Sequence, residues 1–456
     1  MATTRREFLG TAGAAMVGAA MLGAGGCAPG REPATVSGAA GGATAAAAGP
    51  PDIAYGGKVR PSPVLPQPDV PLPTDALAPP AGPKKRLTLL GTLWARHTHP
   101  DHVGTAFLEG YSIVGRTHRP HAELAGIYLD QVHKLDIGRA MAARYRVPVY
   151  ESLHEALTGG TGRLAVDGVL LVCENGNYPR NDKGQKLYPR RQWFEDVVKV
   201  FRAAGRAVPV YHDKFFASTW ADSAWIWRQH KELGIPLAAG SSVPMAWRRP
   251  ALAFAPGIRL DGALAVGYAG LESYGFHTLE LLQAFVEKRT GAAGVRSVEV
   301  LEGPAAWKAA AQGRWRLDLL RAALARTPLE ADAMPRDLAA ADPKALVILV
   351  EYADGFRAAA YLSRGLVRQF AFAAAVAGRR RPVATWAWLP KPQRDHFKFL
   401  CNHIEVLMRT GRAIIPPERT YLTTGMTLAA VDSHFLGRPV PTPHLAHLTY
   451  APPENA

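Results

Sequence analysis

Apolar residues near the middle of the chain follow two patterns, continuous runs and runs with a helical period. Residues 166–172, VDGVLLV, are an apolar, β-branched run of the length expected for a strand that is buried on both faces. Residues 192–204 place four apolar side chains at i, i+3, i+4 and i+7, which predicts a helix with one apolar face: Phe194, Val197, Val198 and Phe201. Gly205 ends this helix, and residues 207–211 form a second apolar run. Strand, helix and strand in this order predict a βαβ unit in a parallel sheet.

The same alternation extends towards the N-terminus from this unit. The patterns predict strands at residues 86–93, 124–130 and 147–150, and helices at residues 137–145 and 152–157. Strands that alternate with helices in this way are typical of a doubly wound α/β domain, which we expect to span residues 85–245.

The pattern changes in the C-terminal part of the chain. It predicts strands at 264–267, 295–301, 345–352 and 356–362, and helices at 273–288, 397–408 and 420–436. Ala353-Asp354-Gly355 has the composition of a hairpin turn between the last two strands. Residues 246–456 are therefore predicted to form an α+β domain with a mostly antiparallel sheet.

The N-terminus carries the features of an export signal. Residues 4–9, TRREFL, match the twin-arginine signature, and a weakly apolar stretch follows at 11–24. Residues 22–27 resemble a lipobox ending at Cys27, although Ala24 stands where leucine is usual. We expect residues 1–27 to direct export by the Tat pathway, which predicts a periplasmic protein or a lipoprotein tethered to the membrane through Cys27. The Ala-, Gly- and Pro-rich residues 28–84 are predicted to be a disordered linker.

Composition adds little beyond this. The chain has 456 residues and a formal net charge of +15, from 53 basic and 38 acidic residues. The basic residues are spread along the chain and no aromatic-interleaved basic stripe occurs, so we predict no nucleic-acid partner. A chain of this length is also too long for a single ordinary core.

Polar residues follow the two strands of the central βαβ unit. Cys173-Glu174-Asn175 comes directly after the first strand, and His212-Asp213-Lys214 after the second. Ligands of parallel sheets bind beyond the carboxyl ends of the strands. Both segments are therefore candidates for a binding site.

Several segments resemble the Gfo/Idh/MocA (glucose–fructose oxidoreductase / inositol dehydrogenase) family. Residues 147–157 read V-P-x-Y-x-S-x-x-E-x-L, and Asp213-Lys214-Phe215 stands where the family has Glu-Lys-Pro. Residues 273–280, SYGFHTLE, stand where the family has D-x-G-x-H-x-x-D, with Ser273 in place of the first aspartate. The resemblance covers roughly residues 86–443 and implies a Rossmann-type domain followed by an α+β substrate domain.

The resemblance implies an oxidoreductase that acts on a sugar or polyol with NAD or NADP. The sequence leaves the oligomeric state open, a homo-oligomer included. Lys214 would position the reacting hydroxyl and His277 would relay its proton. The predicted cofactor-binding residues are Asp130, Glu174, Asn175 and Asp213. After Gly91, however, the chain reads TLWARHTHPDHVG instead of the family's G-x-G-x-x-G turn. A carbohydrate-binding protein of the same fold without redox activity is therefore an alternative.

A cluster of histidines in that divergent segment gives a third hypothesis. His97, His99, Asp101 and His102 fit the H-x-H-x-D-H pattern of the metallo-β-lactamase superfamily, whose zinc activates water for hydrolysis. The downstream βαβ alternation does not fit that superfamily. We therefore predict a loop that faces solvent or substrate and no metal, with a zinc-dependent hydrolase as the alternative.

Overall fold

The computed structural model describes residues 72–113, 116–329, 331, 333–389 and 395–453. The predicted export signal, Cys27 and most of the predicted linker lie outside these residues. Among the described residues, no helix is both long enough and apolar enough to cross a membrane.

The described residues contain sixteen strands and eleven α-helices. The strands are β1 (Lys85–Gly91), β2 (Tyr111–Ile113), β3 (Arg116–His118), β4 (Ala122–Leu129), β5 (Val149–Tyr150), β6 (Gly168–Val172), β7 (Val210–Asp213), β8 (Leu237–Gly240), β9 (Trp247–Arg249), β10 (Leu260–Tyr268), β11 (Val295–Glu302), β12 (Leu346–Tyr352), β13 (Arg357–Ser363), β14 (Phe370–Val376), β15 (Val383–Trp388) and β16 (Val440–Pro441). The helices are α1 (His99–Glu109), α2 (Gly138–Tyr145), α3 (Leu153–Thr158), α4 (Arg190–Ala204), α5 (Trp220–Glu232), α6 (Ser273–Val286), α7 (Pro304–Ala311), α8 (Leu317–Leu324), α9 (Leu338–Ala341), α10 (Asp395–Thr410) and α11 (Pro417–Leu436).

The first sheet has six parallel strands in the order β5-β4-β1-β6-β7-β8. This is the 3-2-1-4-5-6 order of the Rossmann fold, with the direction of winding reversing between β1 and β6. The predicted fold class is confirmed for this part of the chain. The carboxyl ends of β1, β6 and β7 meet at one edge of the sheet, where such folds bind ligands.

The second sheet has eight strands in the order β16-β11-β12-β13-β10-β14-β15-β9. Neighbouring strands are antiparallel except for β10 and β13. The predicted mostly antiparallel sheet is therefore confirmed. Helices α6 and α11 cover one face of it and α7 and α8 the other, each over a buried apolar cluster.

One face of the first sheet is covered by chain from near the C-terminus. Phe397, Leu400, Ile404 and Leu407 of α10 lie in the same buried cluster as Leu87 and Leu89 of β1. The opposite face is covered by α3, α4 and α5. The polypeptide thus returns from beyond residue 246 to complete the core of the first sheet.

The histidine-rich segment differs from its prediction. It is not a loop throughout, because His99, Pro100, Asp101 and His102 form the first turn of helix α1. Histidine and proline gave no apolar period there, but proline is well suited to the first turn of a helix because it lacks an N–H. The segment therefore starts a helix at the edge of the sheet where ligands are expected.

Candidate active site

Lys214 lies directly after β7, at the edge of the first sheet formed by the carboxyl ends of its strands. Its backbone has a positive φ of 68°, and its N–H donates to the carbonyl of Gly240 at 3.1 Å. Gly240 itself has φ +117°, and a Cβ there would come within 2.5 Å of Thr420 Oγ1. A glycine at the end of β8 is therefore needed for this close packing beside Lys214.

The two predicted catalytic residues are in contact. Lys214 Nζ lies 2.9 Å from His277 Nε2 and donates to the carbonyl of Ser273 at 3.2 Å. The carboxylate of Glu174 is 3.7 Å from the same ammonium group. Burial lowers the pKa of Lys214, and Glu174 is the strongest of the carboxylates that oppose this shift. The ammonium thus loses its proton more readily than an exposed lysine does.

Hydrogen bonds engage both ring nitrogens of His277. While Lys214 is an ammonium it donates to Nε2, so the ring proton of neutral His277 is on Nδ1 and is donated to Ser241 Oγ at 2.6 Å. Burial lowers the pKa of His277 well below its usual range, and the positive charge of Lys214 adds to the effect. His277 is therefore a neutral ring in a fixed tautomer.

A histidine–carboxylate pair lies beside the Lys214–His277 pair. His99 Nδ1 is 2.7 Å from Asp213 Oδ2, and the Tyr211 hydroxyl donates to Asp213 Oδ1 at 2.9 Å. Burial alone would raise the pKa of Asp213, but the interactions of its carboxylate with His99, Lys214 and the Tyr211 hydroxyl together lower it. Because Asp213 is ionised, His99 Nδ1 is the donor of this bond. The His99 and His277 rings are 6.4 Å apart between centroids.

Both histidines line a cavity of about 210 Å³ between the two sheets. Its wall is mainly histidine and aromatic side chains: His99, His277, His396, Tyr268, Tyr274, Phe370 and Phe397. Aromatic rings of this kind present apolar faces on which a sugar ring can stack, and the histidines supply hydrogen bonds.

The predicted cofactor-binding residues lie along the same edge of the sheet, each with contacts inside the protein. Asp130 follows β4 and accepts hydrogen bonds from the hydroxyls of Tyr128 and Tyr178, at 2.9 and 2.5 Å. Glu174 follows β6 and accepts from Arg190 Nη2 at 2.9 Å. Asp213 follows the same pattern, since its carboxylate is hydrogen-bonded to His99.

Asn175 differs from those three carboxylates. Its backbone has φ 73°, and its N–H donates to the Tyr188 hydroxyl at 3.1 Å. Its side-chain oxygen is buried and has no hydrogen-bond partner among the described residues. A buried oxygen without a partner is costly, so a ligand donor at the end of β6 would stabilise it.

The turn between β1 and α1 is filled by its own side chains. Trp94 is fully buried, and its Nε1 donates to Asp101 Oδ1 at 3.2 Å. Asp101 Oδ2 accepts from the backbone N–H of His97 at 2.8 Å. A Cβ at Gly104 would overlap the Trp94 ring. The indole therefore occupies the space between this turn and the helix.

The side chains of the histidine-rich segment turn to separate partners. His99 turns to Asp213, whereas Asp101 is bonded to Trp94 and to the His97 backbone. The His102 ring stacks on Phe397 with centroids 4.4 Å apart. Within the described residues, no group of three or more His, Cys, Asp or Glu side chains is arranged to hold a metal ion. The zinc alternative is therefore not supported.

Several cavity residues carry no sequence signal of their own. Ser241, which is hydrogen-bonded to His277, follows β8, and Tyr268, which lines the cavity, ends β10. A search of the residues at every strand end would have found both. His396 and Phe397 lie in the first turn of α10, which reaches the cavity because the chain returns to the first sheet. Glu280, one turn after His277 in the motif, instead points to α11, where it accepts from the Thr423 hydroxyl.

No family model matches the chain, and no curated protein matches it. Solved structures do match. GenD2 from gentamicin A biosynthesis, solved in complex with NAD, is 16% identical, with 80% of this chain and 99% of that chain covered and a TM-score of 0.47. A myo-inositol 2-dehydrogenase from Lactobacillus plantarum is 9% identical, with 78% and 99% covered and a TM-score of 0.49. The UDP-N-acetylglucosamine 3-dehydrogenase of Acidithiobacillus ferrooxidans is 14% identical, with 77% and 97% covered and a TM-score of 0.45.

These matches concern the fold. The strand orders of the two sheets agree with the two-domain architecture that the Gfo/Idh/MocA resemblance implies. What the three proteins bind or act on is a property of those proteins.

Proposed function

We propose that the chain is an oxidoreductase that acts on a hydroxyl group of a sugar or polyol, with NAD or NADP as the hydride acceptor. The observation that carries the proposal is the hydrogen bond between Lys214 and His277, which lies against an aromatic-lined cavity at the carboxyl ends of the strands. The proteins of similar fold named above include sugar and polyol dehydrogenases, in keeping with this proposal.

The proposed roles follow from the geometry of the pair. Oxidation of a hydroxyl builds negative charge on its oxygen, and a buried ammonium stabilises such a charge strongly in a site that excludes water. Lys214 supplies that ammonium, and neutral His277 holds it through Nε2 without adding a second positive charge. When bound, NAD or NADP supplies the acceptor for the hydride of the carbinol carbon.

The residues fit a dinucleotide in one part of the site. Asp130 at the end of β4 stands where a carboxylate can accept hydrogen bonds from ribose hydroxyls, and the unpartnered Asn175 oxygen at the end of β6 can accept another. We assign these two residues to the cofactor.

The start of α1 does not fit the pyrophosphate of a dinucleotide. Pyrophosphates in Rossmann folds bind to backbone amides at a helix N-terminus. Here Pro100 removes one of those amides, Asp101 places a carboxylate in the first turn, and Trp94 fills the space behind it. This observation favours a second candidate function, a carbohydrate-binding protein of the same fold without redox activity.

Mass spectrometry of small molecules released from the natively folded protein separates the two functions. Close to one NAD or NADP per chain supports the oxidoreductase. A protein that is empty, and that fails to bind added NAD⁺ or NADP⁺ in calorimetry while binding myo-inositol or D-glucose, supports the binding protein and contradicts the oxidoreductase.

Turnover gives the second readout. With NAD⁺ or NADP⁺ and a panel of sugars and inositols, Lys214→Met should lower kcat by about 10²-fold or more, because the group that stabilises the developing alkoxide is lost. Lys199→Met is the matched control, since Lys199 is 64% exposed on α4. Equal rates for the two variants would contradict the role of Lys214.

We also propose that the protein is exported by the Tat pathway and anchored through an acylated Cys27. The support is the twin-arginine signature at residues 4–9 and the lipobox-like residues 22–27, which lie outside the described residues. Cys27→Ser should move the protein from the membrane fraction to the soluble periplasmic fraction; an unchanged distribution would exclude the anchor.

A further inference from the structure

We propose that His99, rather than His277, is the proton acceptor for the substrate hydroxyl, with Asp213 as its positioning residue. The proposal rests on the proposed function, since it assigns a further residue to the same cavity. It is carried by the hydrogen-bond partners of the two histidines that line the cavity side by side.

His277 has no ring nitrogen left for a substrate. Its Nε2 accepts from Lys214 at 2.9 Å and its Nδ1 donates to Ser241 Oγ at 2.6 Å. Ser241 Oγ in turn accepts from the backbone N–H of Val243 at 3.0 Å, which fixes the hydroxyl. For His277 to take a proton from a substrate, the bond to Lys214 would first have to break.

His99 has the opposite arrangement. Its Nδ1 is bonded to Asp213, and its Nε2 has no hydrogen-bond partner among the described residues. The side chain of His99 is 18% exposed, whereas that of Asp213 is 2% exposed, so the free edge of the ring is the accessible one. The ionised carboxylate requires a proton on Nδ1, which leaves the lone pair on Nε2. This is the arrangement of a histidine general base held by an aspartate.

The surrounding charges favour a proton on His99 during the reaction. Asp213 is buried, ionised and further fixed by the Tyr211 hydroxyl, so it can pair with an imidazolium. His277 is kept neutral by its burial and by the positive charge of Lys214. The ammonium of Lys214 opposes the new charge, and Glu174 lies 3.7 Å from that ammonium.

The proposed step balances as follows. The O–H bond of the substrate breaks and its proton goes to His99 Nε2, which becomes an imidazolium paired with Asp213. The oxygen electron pair forms the C=O bond while the C–H bond breaks, and the hydride leaves for NAD⁺ or NADP⁺. The substrate alcohol is oxidised to a carbonyl compound and the nicotinamide is reduced.

The sequence places His99 for this role through the unusual start of α1. Because Asp101 is bonded to the His97 backbone and to Trp94, the first turn is fixed against the end of β1. That turn carries His99 across the end of β6 to reach Asp213 on β7. The histidine-rich segment, which stands in place of the family's glycine turn, therefore brings a proton acceptor into the cavity.

Nitrogen-15 NMR of protein labelled at histidine tests the tautomer independently of any turnover. The His99 signals, identified by their loss in His99→Gln, should show a protonated Nδ1 and an unprotonated Nε2. In Asp213→Asn the preference for this tautomer should be lost. A proton on Nε2 in the unsubstituted protein would overturn the proposal.

Kinetics test the role itself. With a sugar or inositol that the unsubstituted protein oxidises, His99→Gln should lower kcat by 10²-fold or more with KM changed by less than about threefold, the loss typical of a general base. Added imidazole should restore part of the rate in His99→Ala. His154→Gln, a change at an exposed histidine on α3, is the control. A kcat for His99→Gln within threefold of the control would overturn the role of His99 and leave the proposed function intact.

The remaining outcome is that the protein oxidises none of the sugars and inositols tested. If no probe is oxidised, the proposed function fails and the general-base role fails with it. The tautomer result then still decides whether Asp213 orients His99, and a shift of the His99 Nε2 signal on adding myo-inositol shows whether the ring contacts a cavity ligand. Circular dichroism of each variant confirms that it is folded.

Discussion

At the scale of single residues, histidines with different surroundings serve different purposes. His99 and His277 face the cavity, whereas His212, between them in the sequence, points away from it. The His212 ring is fully buried beside Phe194 and Phe216, in the core on the other face of the sheet. Burial lowers the pKa of His212 to about 3, and the nearby positive charge of Arg190 adds to the effect.

This environment predicts a stability that falls on acidification. The pKa of His212 is about 3 in the folded state and about 6.5 when unfolded. Between these values the unfolded state binds more protons, so the free energy of unfolding decreases by up to about 1.4 kcal/mol for each unit that the pH falls. His212→Phe should remove this dependence. In urea unfolding at pH 7, 6, 5 and 4, the free energy of unfolding of the variant should therefore decrease less on acidification than that of the unsubstituted protein.

Comparing the His212→Phe variant with the unsubstituted protein separates the effect of His212 from that of the other groups that titrate. The pKa of buried His403 is likewise lowered by burial, to about 4, and it contributes equally to both proteins. Curves for the variant and the unsubstituted protein that stay parallel from pH 7 to 4 would show that His212 is not the cause.

At the scale of elements, the β1–α1 unit depends on one close contact. The Trp94 indole lies against Gly104, where a Cβ would overlap the ring. Gly104→Ala should therefore lower the free energy of unfolding by about 1–3 kcal/mol, because the ring or the helix must move. It should also weaken the bond between His99 and Asp213, which the histidine NMR signals report.

A second helical glycine supplies the control. A Cβ at Gly275 in α6 would meet its nearest neighbours, the side chains of Ile348 and Leu362, at an ordinary 3.5 Å. Gly275→Ala should be neutral or slightly stabilising, since alanine favours helix more than glycine does. Adding Trp94→Phe to Gly104→Ala should recover part of the lost stability. If both alanine variants behave alike in chemical unfolding, the contact is not what positions α1.

The elements that could be predicted from the sequence are those with a strong period. β6, α4 and β7 follow from continuous apolar runs and from an i, i+3, i+4, i+7 face, and the structure contains all three. Helix α1 could not be predicted as a helix, because its first turn is made of histidine, proline and aspartate. Strands β14 and β15 were also missed; in β14, FAFAAAV, most residues are alanines, which have little preference for strands.

The candidate site likewise contains residues that could be predicted from the sequence and residues that could not. Lys214, His277 and the residues at the strand ends could be named from the family motif and from the rule for parallel sheets. The bond between His99 and Asp213 joins residues 114 positions apart, and no local pattern encodes such a contact. His396 and Phe397 reach the cavity only because α10 returns to the first sheet.

At the scale of the whole molecule, the last two helices join the two sheets. Helix α10 covers one face of the first sheet. Helix α11 donates from Thr420 to the carbonyl of Ala239 in β8, and its Arg419 forms a buried ion pair with Glu287, just after α6. Removing either partner of a buried ion pair costs several kcal/mol because the other charge is left unpaired. These contacts predict that the two sheets unfold together.

Hydrogen exchange monitored by mass spectrometry tests this cooperativity with one substitution in α10. Ile404 is fully buried against the first sheet, so Ile404→Ala should lower the free energy of unfolding by about 2–5 kcal/mol. If the sheets form one unit, the slowest amides of β6 and of β12 should lose protection equally, although Ile404 belongs to the core of the first sheet alone. A loss confined to β6 would mean that the second sheet keeps its structure when the first opens. In that case the cavity between them could open and close to admit a substrate without unfolding the part that carries His277.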